Sequence, residues 1–255
     1  MSCYELYALK FAGPFSSSGA FMMWMKEWET VALRNYYFWC LKSPERTVLV
    51  DAGVSPLLAR QRNLPGYLSP ADMLKGLEVR AEAVSQVILT HLHWDHVDGA
   101  SLFPHAEFFV QRSERDFWLG DDLARQPPFT FFLNDQTRAV CRSIEESGRL
   151  TMIDGERETM PGITCLPAPG HSVGHQAVVA DTSRGRAILG SDCAHLFRNY
   201  EENWPSALII DMVAWVRSLK TLKQRVSAPD LLFPGHDPLM SERYPEVAPG
   251  ITRLA

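Results

Sequence analysis

Short apolar runs separated by turns recur along the chain, and they predict a series of β-strands. The first covers residues 4–11, and residues 36–41 and 47–50 form a predicted hairpin around the turn at residues 43–45. Residues 13–19, rich in glycine, proline and serine, are predicted to break regular structure. The remaining strand-like runs are residues 87–89, 108–110, 150–153, 163–166, 177–180, 187–190 and 231–233.

Helical periodicity is found in fewer places. Apolar residues recur at a helical period across residues 211–226, which predicts a helix there. A capping serine and a first-turn proline predict a helix start at residues 69–72, and residues 112–118 are also predicted to be helical. Strands and helices follow each other without a break in composition, so we predict one mixed α/β domain over residues 1–255.

Composition removes several classes of partner. The chain is 46% hydrophobic and 22% charged, as is usual for a globular protein. It has 25 Lys and Arg residues against 30 Asp and Glu residues and contains no basic run, so no nucleic-acid partner is expected. Its apolar stretches fall short of a membrane span, so no membrane partner is expected either.

Cysteine usage and the first residues predict a cytoplasmic protein. The five cysteines are odd in number and widely scattered, which argues against a disulfide framework and favours a reducing compartment. The chain starts without a basic segment followed by an apolar one, so no secretory signal is expected.

Candidate chemistry is concentrated in residues 90–99, THLHWDHVDG, directly after an apolar run. Imidazole nitrogens and carboxylate oxygens at this density are ligands that zinc, iron and manganese prefer. Without a cation, such groups would repel and desolvate one another. We expect His91 and His93 to project together, and Asp95 and His96 to face a second point, so that this one loop serves two adjacent ions.

Three later segments repeat one arrangement: an apolar strand ends at a glycine-marked turn, and a ligand-type side chain follows. These side chains are His171, Asp192 and His236. The predicted ligand sets are His91, His93 and His171 for one ion, and Asp95, His96 and His236 for the other, with Asp192 bridging both.

Other positions carry weaker signals. Asp51 ends a predicted strand beside a glycine, either to support a ligand histidine or to cap the turn. His175 is predicted to hold its turn or to support a ligand rather than bind metal. Cys193 directly follows Asp192, so on a strand end its side chain is expected to face away from the ions.

The ordered set His91-x-His93-x-Asp95-His96, then His171, Asp192 and His236, resembles the metallo-β-lactamase superfamily over about residues 49–238. This resemblance implies a four-layer αββα sandwich with a dinuclear metal site at one edge of the two sheets. Residues 49–53, 171–176 and 233–237, together with the chain length, are similar to the N-acyl homoserine lactonase (quorum-quenching lactonase) group. That likeness implies a lactone-opening hydrolase with two divalent ions, zinc first and iron, manganese or cobalt as alternatives.

One position departs from the lactonase group. Three residues after the bridging aspartate, those enzymes place a tyrosine whose hydroxyl contacts the substrate carbonyl, whereas this chain has His195. A histidine can still donate a hydrogen bond, and it can carry a positive charge near neutral pH. A different lactone, such as one bearing a carboxylate, therefore fits the sequence as well as an acyl homoserine lactone does.

The expected mechanism is attack on the ester carbonyl by a hydroxide held between the two cations. His195 is expected to stabilise the carbonyl oxygen as it gains charge, and Asp95 to orient the hydroxide and pass its proton to the leaving alkoxide. The aromatic residues 121–136 form a candidate insert over the site. Residues 129–132, with the methionine- and tryptophan-rich residues 21–28, would bury an apolar part of a small-molecule substrate.

Two interpretations of residues 21–28 stay open, because the segment fits ordinary core packing as well as an apolar ligand pocket or a homodimer contact.

Two alternative functions share the implied fold. A thioesterase of the glyoxalase II kind would share the ligands but usually carries a basic helical C-terminal region, and this chain ends soon after His236. A sulfur dioxygenase would bind one iron through two histidines and an aspartate.

Overall fold

Two β-sheets dominate the computed structural model, which describes residues 3–255. The first sheet contains β1 (Glu5–Ser18), β2 (Val31–Lys42), β3 (Thr47–Val50), β4 (Gln86–Ile88), β5 (Glu107–Gln111), β6 (Leu150–Ile153), β12 (Glu246–Ala248) and β13 (Ile251–Arg253). The second contains β7 (Arg157–Met160), β8 (Ile163–Pro167), β9 (Gln176–Thr182), β10 (Gly185–Ser191) and β11 (Leu232–Pro234).

Strand direction places several strand ends at one edge. In the first sheet, with the order β12-β13-β1-β2-β3-β4-β5-β6, the run from β3 to β6 is parallel. In the second, with the order β11-β10-β9-β8-β7, β10 and β11 are parallel. Parallel strands bring their carboxyl ends to the same edge, so the loops that follow them can share one site.

Ten α-helices occur among residues 3–255. They are α1 (Gly19–Met22), α2 (Pro56–Gln61), α3 (Pro70–Met73), α4 (Trp94–Val97), α5 (Arg112–Arg115), α6 (Pro127–Thr130), α7 (Asp135–Glu146), α8 (Phe197–Glu201), α9 (Met212–Arg225) and α10 (Met240–Arg243). The side chains of Asn134 and Asp211 cap α7 and α9 by accepting backbone N–H groups of the first turn. Throughout residues 3–255, every helix is too short or too polar to cross a bilayer.

Three buried apolar clusters separate four layers. The first packs strand residues such as Leu49 against helix residues such as Ile144 of α7. The second lies between the sheets and includes Val50 and Phe233, and the third packs the second sheet against Trp215 of α9. Alternate strand residues point to opposite faces, which is why the adjacent Leu49 and Val50 belong to different clusters. The predicted αββα sandwich is confirmed.

The predicted break at residues 13–19 is wrong for most of its length. β1 continues to Ser18 and stays paired with β2, with Ser18 opposite Val31. Register shifts between Lys10 and Ala12 and between Ala12 and Phe15 carry the pairing past Gly13. The long partner strand thus overrides the local preference of glycine and proline, and bulges absorb the irregularity.

Candidate metal centre

The seven predicted ligands come from four loops and converge at one edge of the sandwich. His91 and His93 follow β4, and Asp95 and His96 lie on α4. The second sheet supplies the other three, His171 after β8, Asp192 after β10 and His236 after β11. All seven are buried, and sets of three offer ligand atoms within 4.8 Å of one another.

The first predicted set is compact. Nε2 of His171 lies 2.9 Å from Nδ1 of His93 and 3.3 Å from Nε2 of His91. Nitrogens bound tetrahedrally to one zinc ion at about 2.0–2.1 Å lie roughly 3.4 Å apart. The observed separations are close to that value, so these three imidazoles can meet at one cation.

The second set has similar separations. Oδ2 of Asp95 lies 3.6 Å from Nε2 of His96 and 3.7 Å from Nε2 of His236. Asp192 faces both sets, because its Oδ2 lies 3.3 Å from Nε2 of His171 and its Oδ1 lies 3.0 Å from Nε2 of His236. Oδ2 also lies 3.2 Å from Nε2 of His236, so the carboxylate as a whole is close to both sets, as a ligand shared by two ions would be.

Acceptors behind the rings orient the histidines. Nδ1 of His171 lies 2.7 Å from the carbonyl oxygen of Leu208, and Nδ1 of His236 lies 2.7 Å from that of Asn35. A carbonyl can only accept, so each Nδ1 carries the proton and donates it. The Nε2 lone pair of each ring is then left for the centre, the arrangement expected of metal-binding histidines.

Asp51 does both things that the sequence left open. Its Oδ1 accepts a 2.7 Å hydrogen bond from the backbone N–H of Thr90, and its Oδ2 lies 2.7 Å from Nδ1 of His96. The carboxylate therefore fixes the start of the histidine loop and turns Nε2 of His96 toward the centre.

Unsatisfied buried atoms support a cation at this site. His96 Nε2, Asp192 Oδ1 and His195 Nε2 are buried without a hydrogen bond of good geometry among residues 3–255, although Asp192 Oδ1 lies 3.0 Å from His236 Nε2 and His195 Nε2 lies 3.2 Å from Asp192 Oδ2. Such atoms cost free energy unless a donor, acceptor or ion satisfies them. Three unsatisfied atoms facing one space, in a set of imidazoles and carboxylates, fit a metal centre.

The electrostatics favour cation binding too. Burial, reinforced by the neighbouring rings of His96 and His171, lowers the pKa of His91 and His93 well below the usual value, so both stay neutral. Burial also opposes charge on His96, but Asp95 and Asp51 together raise its pKa well above the usual value. The metal-free pocket thus attracts a proton where it would bind a cation, and metal would displace that proton.

His195 lies inside the same cluster. It is buried, its Nε2 is 3.2 Å from Oδ2 of Asp192, and its ring stacks on that of His236 at 5.3 Å. It also lines a small cleft of about 30 Å³ above the ligands. This position allows contact with a group that enters the cleft.

The aromatic insert lies over the centre, as predicted. Phe131 and Phe132 line the cleft, and the ring of Phe132 stacks on that of His93 at 4.5 Å. A larger cavity of about 760 Å³ is lined by residues such as Tyr200 and Tyr244, and the seven ligands do not contribute to its wall. The chemistry of the described side chains therefore points to the small cleft.

Residues 21–28 divide between core and surface. Met22 and Met23 are buried, whereas Trp24, Met25 and Trp28 are exposed. Within residues 3–255 the segment does not contribute to the wall of the small cleft. Core packing accounts for the buried half, and a subunit contact through the exposed half stays a prediction.

Cys193 lies where the sequence placed it, whereas the supporting role predicted for His175 stays a prediction, because both of its ring nitrogens lack a hydrogen-bond partner among residues 3–255. His175 is fully buried 5.1 Å from the ring of His91, and burial lowers its pKa to about 3. Cys193 belongs to the cluster between the second sheet and α9, away from the ligand side chains.

Glu114 is a buried residue that sequence reasoning missed. Its carboxylate accepts hydrogen bonds from the backbone N–H of Leu92 at 2.9 Å and of Gly174 at 2.8 Å, and from the Ser172 hydroxyl at 2.7 Å. Leu92 lies between two predicted ligands, and Ser172 follows a third. Glu114 therefore ties the β4 loop of one sheet to the β8 loop of the other, and its position in the sequence gives no sign of this.

Comparisons with known proteins agree with this architecture. The family model of the metallo-β-lactamase superfamily matches residues 31–236. An N-acyl homoserine lactonase of Bacillus cereus is 28% identical over 223 residues, which cover 80% of this chain and 83% of the relative. The AttM lactonase of Rhizobium radiobacter is 27% identical over 179 residues, covering 66% of this chain and 63% of the relative.

Solved structures are similar over nearly the whole chain. An N-acyl homoserine lactone hydrolase with the product N-hexanoyl-L-homoserine at its catalytic metal centre has a TM-score of 0.78 and 21% identity, covering 95% of this chain and 97% of that one. AidC, described as a dizinc quorum-quenching lactonase, has a TM-score of 0.72 and 17% identity, covering 93% and 91%. At these identities the likeness concerns the fold.

Proposed function

Because the chain belongs to the metallo-β-lactamase superfamily, we propose that it is a dinuclear metal hydrolase that opens the ring of a lactone. The observation that carries the proposal is the position of Asp192, whose carboxylate lies 3.3 Å from Nε2 of His171 in one set and 3.0 Å from Nε2 of His236 in the other. The relatives named N-acyl homoserine lactonase support the choice of substrate class.

The donor set suits two divalent cations. Imidazoles and carboxylates without a thiolate fit zinc first, with iron, manganese or cobalt as alternatives. Two such ions would lower the pKa of a water molecule and so supply a nucleophile at neutral pH. The five free cysteines fit a reducing cytoplasm, where we place the enzyme.

Two side chains of the cleft wall would take part in the reaction, one by transferring a proton and the other by stabilising a developing negative charge. A new bond forms between the oxygen of water and the carbonyl carbon, and the bond from that carbon to the ring oxygen breaks. Asp95, at the cleft wall, would take the proton of the attacking water and deliver it to the ring oxygen as that oxygen leaves. His195 would donate a hydrogen bond to the carbonyl oxygen while it gains charge.

The side chains around the cleft would contact an apolar part of a small substrate, which would lie against them and outside the interior of about 30 Å³. Tyr36, Phe131, Phe132 and Leu208 line the cleft above the ligands. Aromatic and aliphatic walls of this kind bind an acyl chain or ring without fixing its length. Substrate choice therefore depends on the few polar groups of the wall.

A hydrolysis screen with metal analysis on the same sample tests the proposal. The panel contains acyl homoserine lactones, simple γ- and δ-lactones, aryl lactones and thioesters. We expect lactone opening with two equivalents of zinc per chain. Thioester hydrolysis without lactone opening would favour the glyoxalase II alternative, and one iron with oxygen uptake would favour the sulfur dioxygenase.

A further inference from the structure

We propose that Arg34 is a specificity-determining residue that binds an anionic group of the substrate, so that the enzyme prefers a lactone bearing a carboxylate or a comparable anion. The inference rests on the proposed hydrolase function and names the substrate class of that same site.

Arg34 lines the same cleft as the predicted ligands. It lies on β2, and the next residue, Asn35, provides the carbonyl oxygen that orients His236. The Arg34 side chain lines the cleft together with His195, and its guanidinium carbon lies 5.4 Å from the centre of the Tyr36 ring. The same carbon lies 5.9 Å from the centre of the Phe21 ring. A guanidinium beside two rings is held by its stem and keeps its polar edge for other partners.

Its donors lack a protein acceptor. The ion pairs found among residues 3–255 use other arginines, such as Arg112, Arg198 and Arg243, and no described carboxylate pairs with Arg34 within 4.0 Å. Its Nε is buried without a hydrogen-bond partner. A planar guanidinium presents N–H groups in a fork that matches a carboxylate. A ligand carboxylate in the cleft would satisfy donors that the protein leaves free.

The charge of the loaded site points the same way. Asp95 and Asp192 are the carboxylates at the cleft wall, and two divalent cations would carry twice their combined charge. Arg34 adds a further positive charge. The cleft would therefore be cationic although the whole chain carries a net charge of −5, and an anionic substrate would be attracted into it.

The experiment compares two lactones that differ in one charge. They are γ-butyrolactone γ-carboxylate and the matching γ-carboxamide. The readout is kcat/KM for the carboxylate divided by kcat/KM for the carboxamide, measured by proton release with the zinc-loaded enzyme. In Arg34→Gln we expect this ratio to fall by about 10- to 100-fold, the size of a lost charge-assisted hydrogen bond. A ratio within threefold of wild type would overturn the inference.

A matched control separates direct contact from the general field. Arg62 has the same charge and lies 3.9 Å from the ring centre of Trp94, another residue of the cleft wall, but does not itself line the cleft. Arg62 is half-buried, and like Arg34 it has a buried Nε without a hydrogen-bond partner among residues 3–255. Arg62→Gln should nevertheless leave the ratio within about threefold, because Arg62 is absent from the cleft wall and would not contact the substrate. An equal fall in both variants would contradict binding by Arg34.

A second variant keeps the test decisive if Arg34→Gln loses metal or folds poorly. Arg34→Lys keeps the charge and loses the fork, so the ratio should fall by about 3- to 10-fold, with metal content as the check on the site. Failure of the proposed function is distinguishable, because wild-type enzyme would then open neither lactone. If the wild-type enzyme opens both lactones and the kcat/KM ratio does not change when Arg34 is replaced, only the inference about Arg34 is contradicted.

Discussion

The carboxylate of Asp51 lies 2.7 Å from Nδ1 of His96, across 45 residues of sequence. Both side chains are almost completely buried. Asp51 thus contacts Nδ1 of His96, and the other ring nitrogen, Nε2, faces the centre. Its negative charge also makes that imidazole a stronger donor to a cation.

Replacing Asp51 tests that support. Asp51→Asn keeps the size of the side chain and removes its charge, so we expect metal affinity to fall by about 10- to 100-fold at the ion that His96 faces. Chelator competition measures the change. The control is Asp154→Asn, an exposed carboxylate paired with Arg112, which should leave affinity unchanged. Equal affinities in the Asp51 variant and wild type would contradict the role.

Removal of Asp192 should affect both ions together, since its carboxylate lies within 3.3 Å of histidines from both ligand sets. In Asp192→Ala we expect loss of metal and of lactone hydrolysis in the same preparation. Metal analysis and proton-release assays measure the two losses, and circular dichroism verifies the fold. A fully active, fully metallated variant would defeat the bridging scheme.

Glu114 should matter more than an ordinary surface carboxylate. Glu114→Ala leaves three buried donors without their acceptor, at about 1–3 kcal/mol each, so we expect unfolding free energy to fall by at least about 3 kcal/mol. Metal affinity should fall too, because the loops of His93 and His171 lose their common anchor.

Glu158 provides the comparison for Glu114. It accepts a backbone N–H from Gly162 at 2.9 Å but is exposed, so Glu158→Ala should cost no more than about 0.5 kcal/mol. Denaturant unfolding of the zinc-loaded variants measures both. Similar losses at the two positions would show that Glu114 is not a special anchor.

His175 should make the metal-free protein sensitive to acid. Its pKa is about 3 in the folded chain because of burial, against roughly 6.5 when unfolded. At pH values between these two pKa values, the unfolded chain binds a proton at His175 that the folded chain does not bind. The contribution of His175 to the free energy of unfolding is therefore constant above about pH 6.5, and that free energy falls as the pH drops toward 3. The slope from this group reaches about 1.4 kcal/mol per pH unit.

The variant His175→Gln should lose that contribution. Its free energy of unfolding in chelator should fall less steeply than that of wild type between pH 6 and pH 4, by roughly 1.4 kcal/mol per unit. His105 is exposed, so His105→Gln should keep the wild-type slope. Parallel curves for wild type and His175→Gln would count against the prediction.

The cysteines should separate into one reactive thiol and four inert ones. Cys3 is exposed, whereas burial raises the pKa of Cys40, Cys141, Cys165 and Cys193 to about 12. Thiolate is the reactive form, so a disulfide reagent should titrate one thiol rapidly in the native protein and five after denaturation. Cys3→Ser should abolish the rapid phase. Rapid reaction of Cys193 would place it nearer the cleft than the structure does.

Much of the fold could be predicted because local signals agreed with the tertiary structure. The apolar runs at residues 47–50 and 87–89 are short and buried, and they became neighbouring parallel strands. Residues 13–19 were wrongly predicted to break regular structure. Glycine and proline indicate only the local backbone preference, whereas the strand there is stabilised by pairing with β2, about 20 positions away in the sequence. Most of α7 was missed because charged and polar side chains dominate its surface, and its cap at Asn134 is a single weak signal.

The candidate site was predictable where ligand-type residues followed strand ends, as at His171 and His236. Their convergence depends on both sheets, and motif order alone suggested it. Glu114 and Arg34 were missed for a different reason. A glutamate in a helical segment or an arginine in a strand is ordinary in sequence. Burial and three hydrogen bonds distinguish Glu114, and a buried Nε without a partner among the described residues distinguishes Arg34.

The division of the ligands between the two sheets has a consequence for assembly. Four of the seven proposed ligands come from the first sheet and three from the second, so neither half of the sandwich would contain a complete coordination shell. Retention of the cations would then report that the halves have docked. During unfolding, metal release should coincide with separation of the halves, so that the proposed ions would also report whether the tertiary structure is intact.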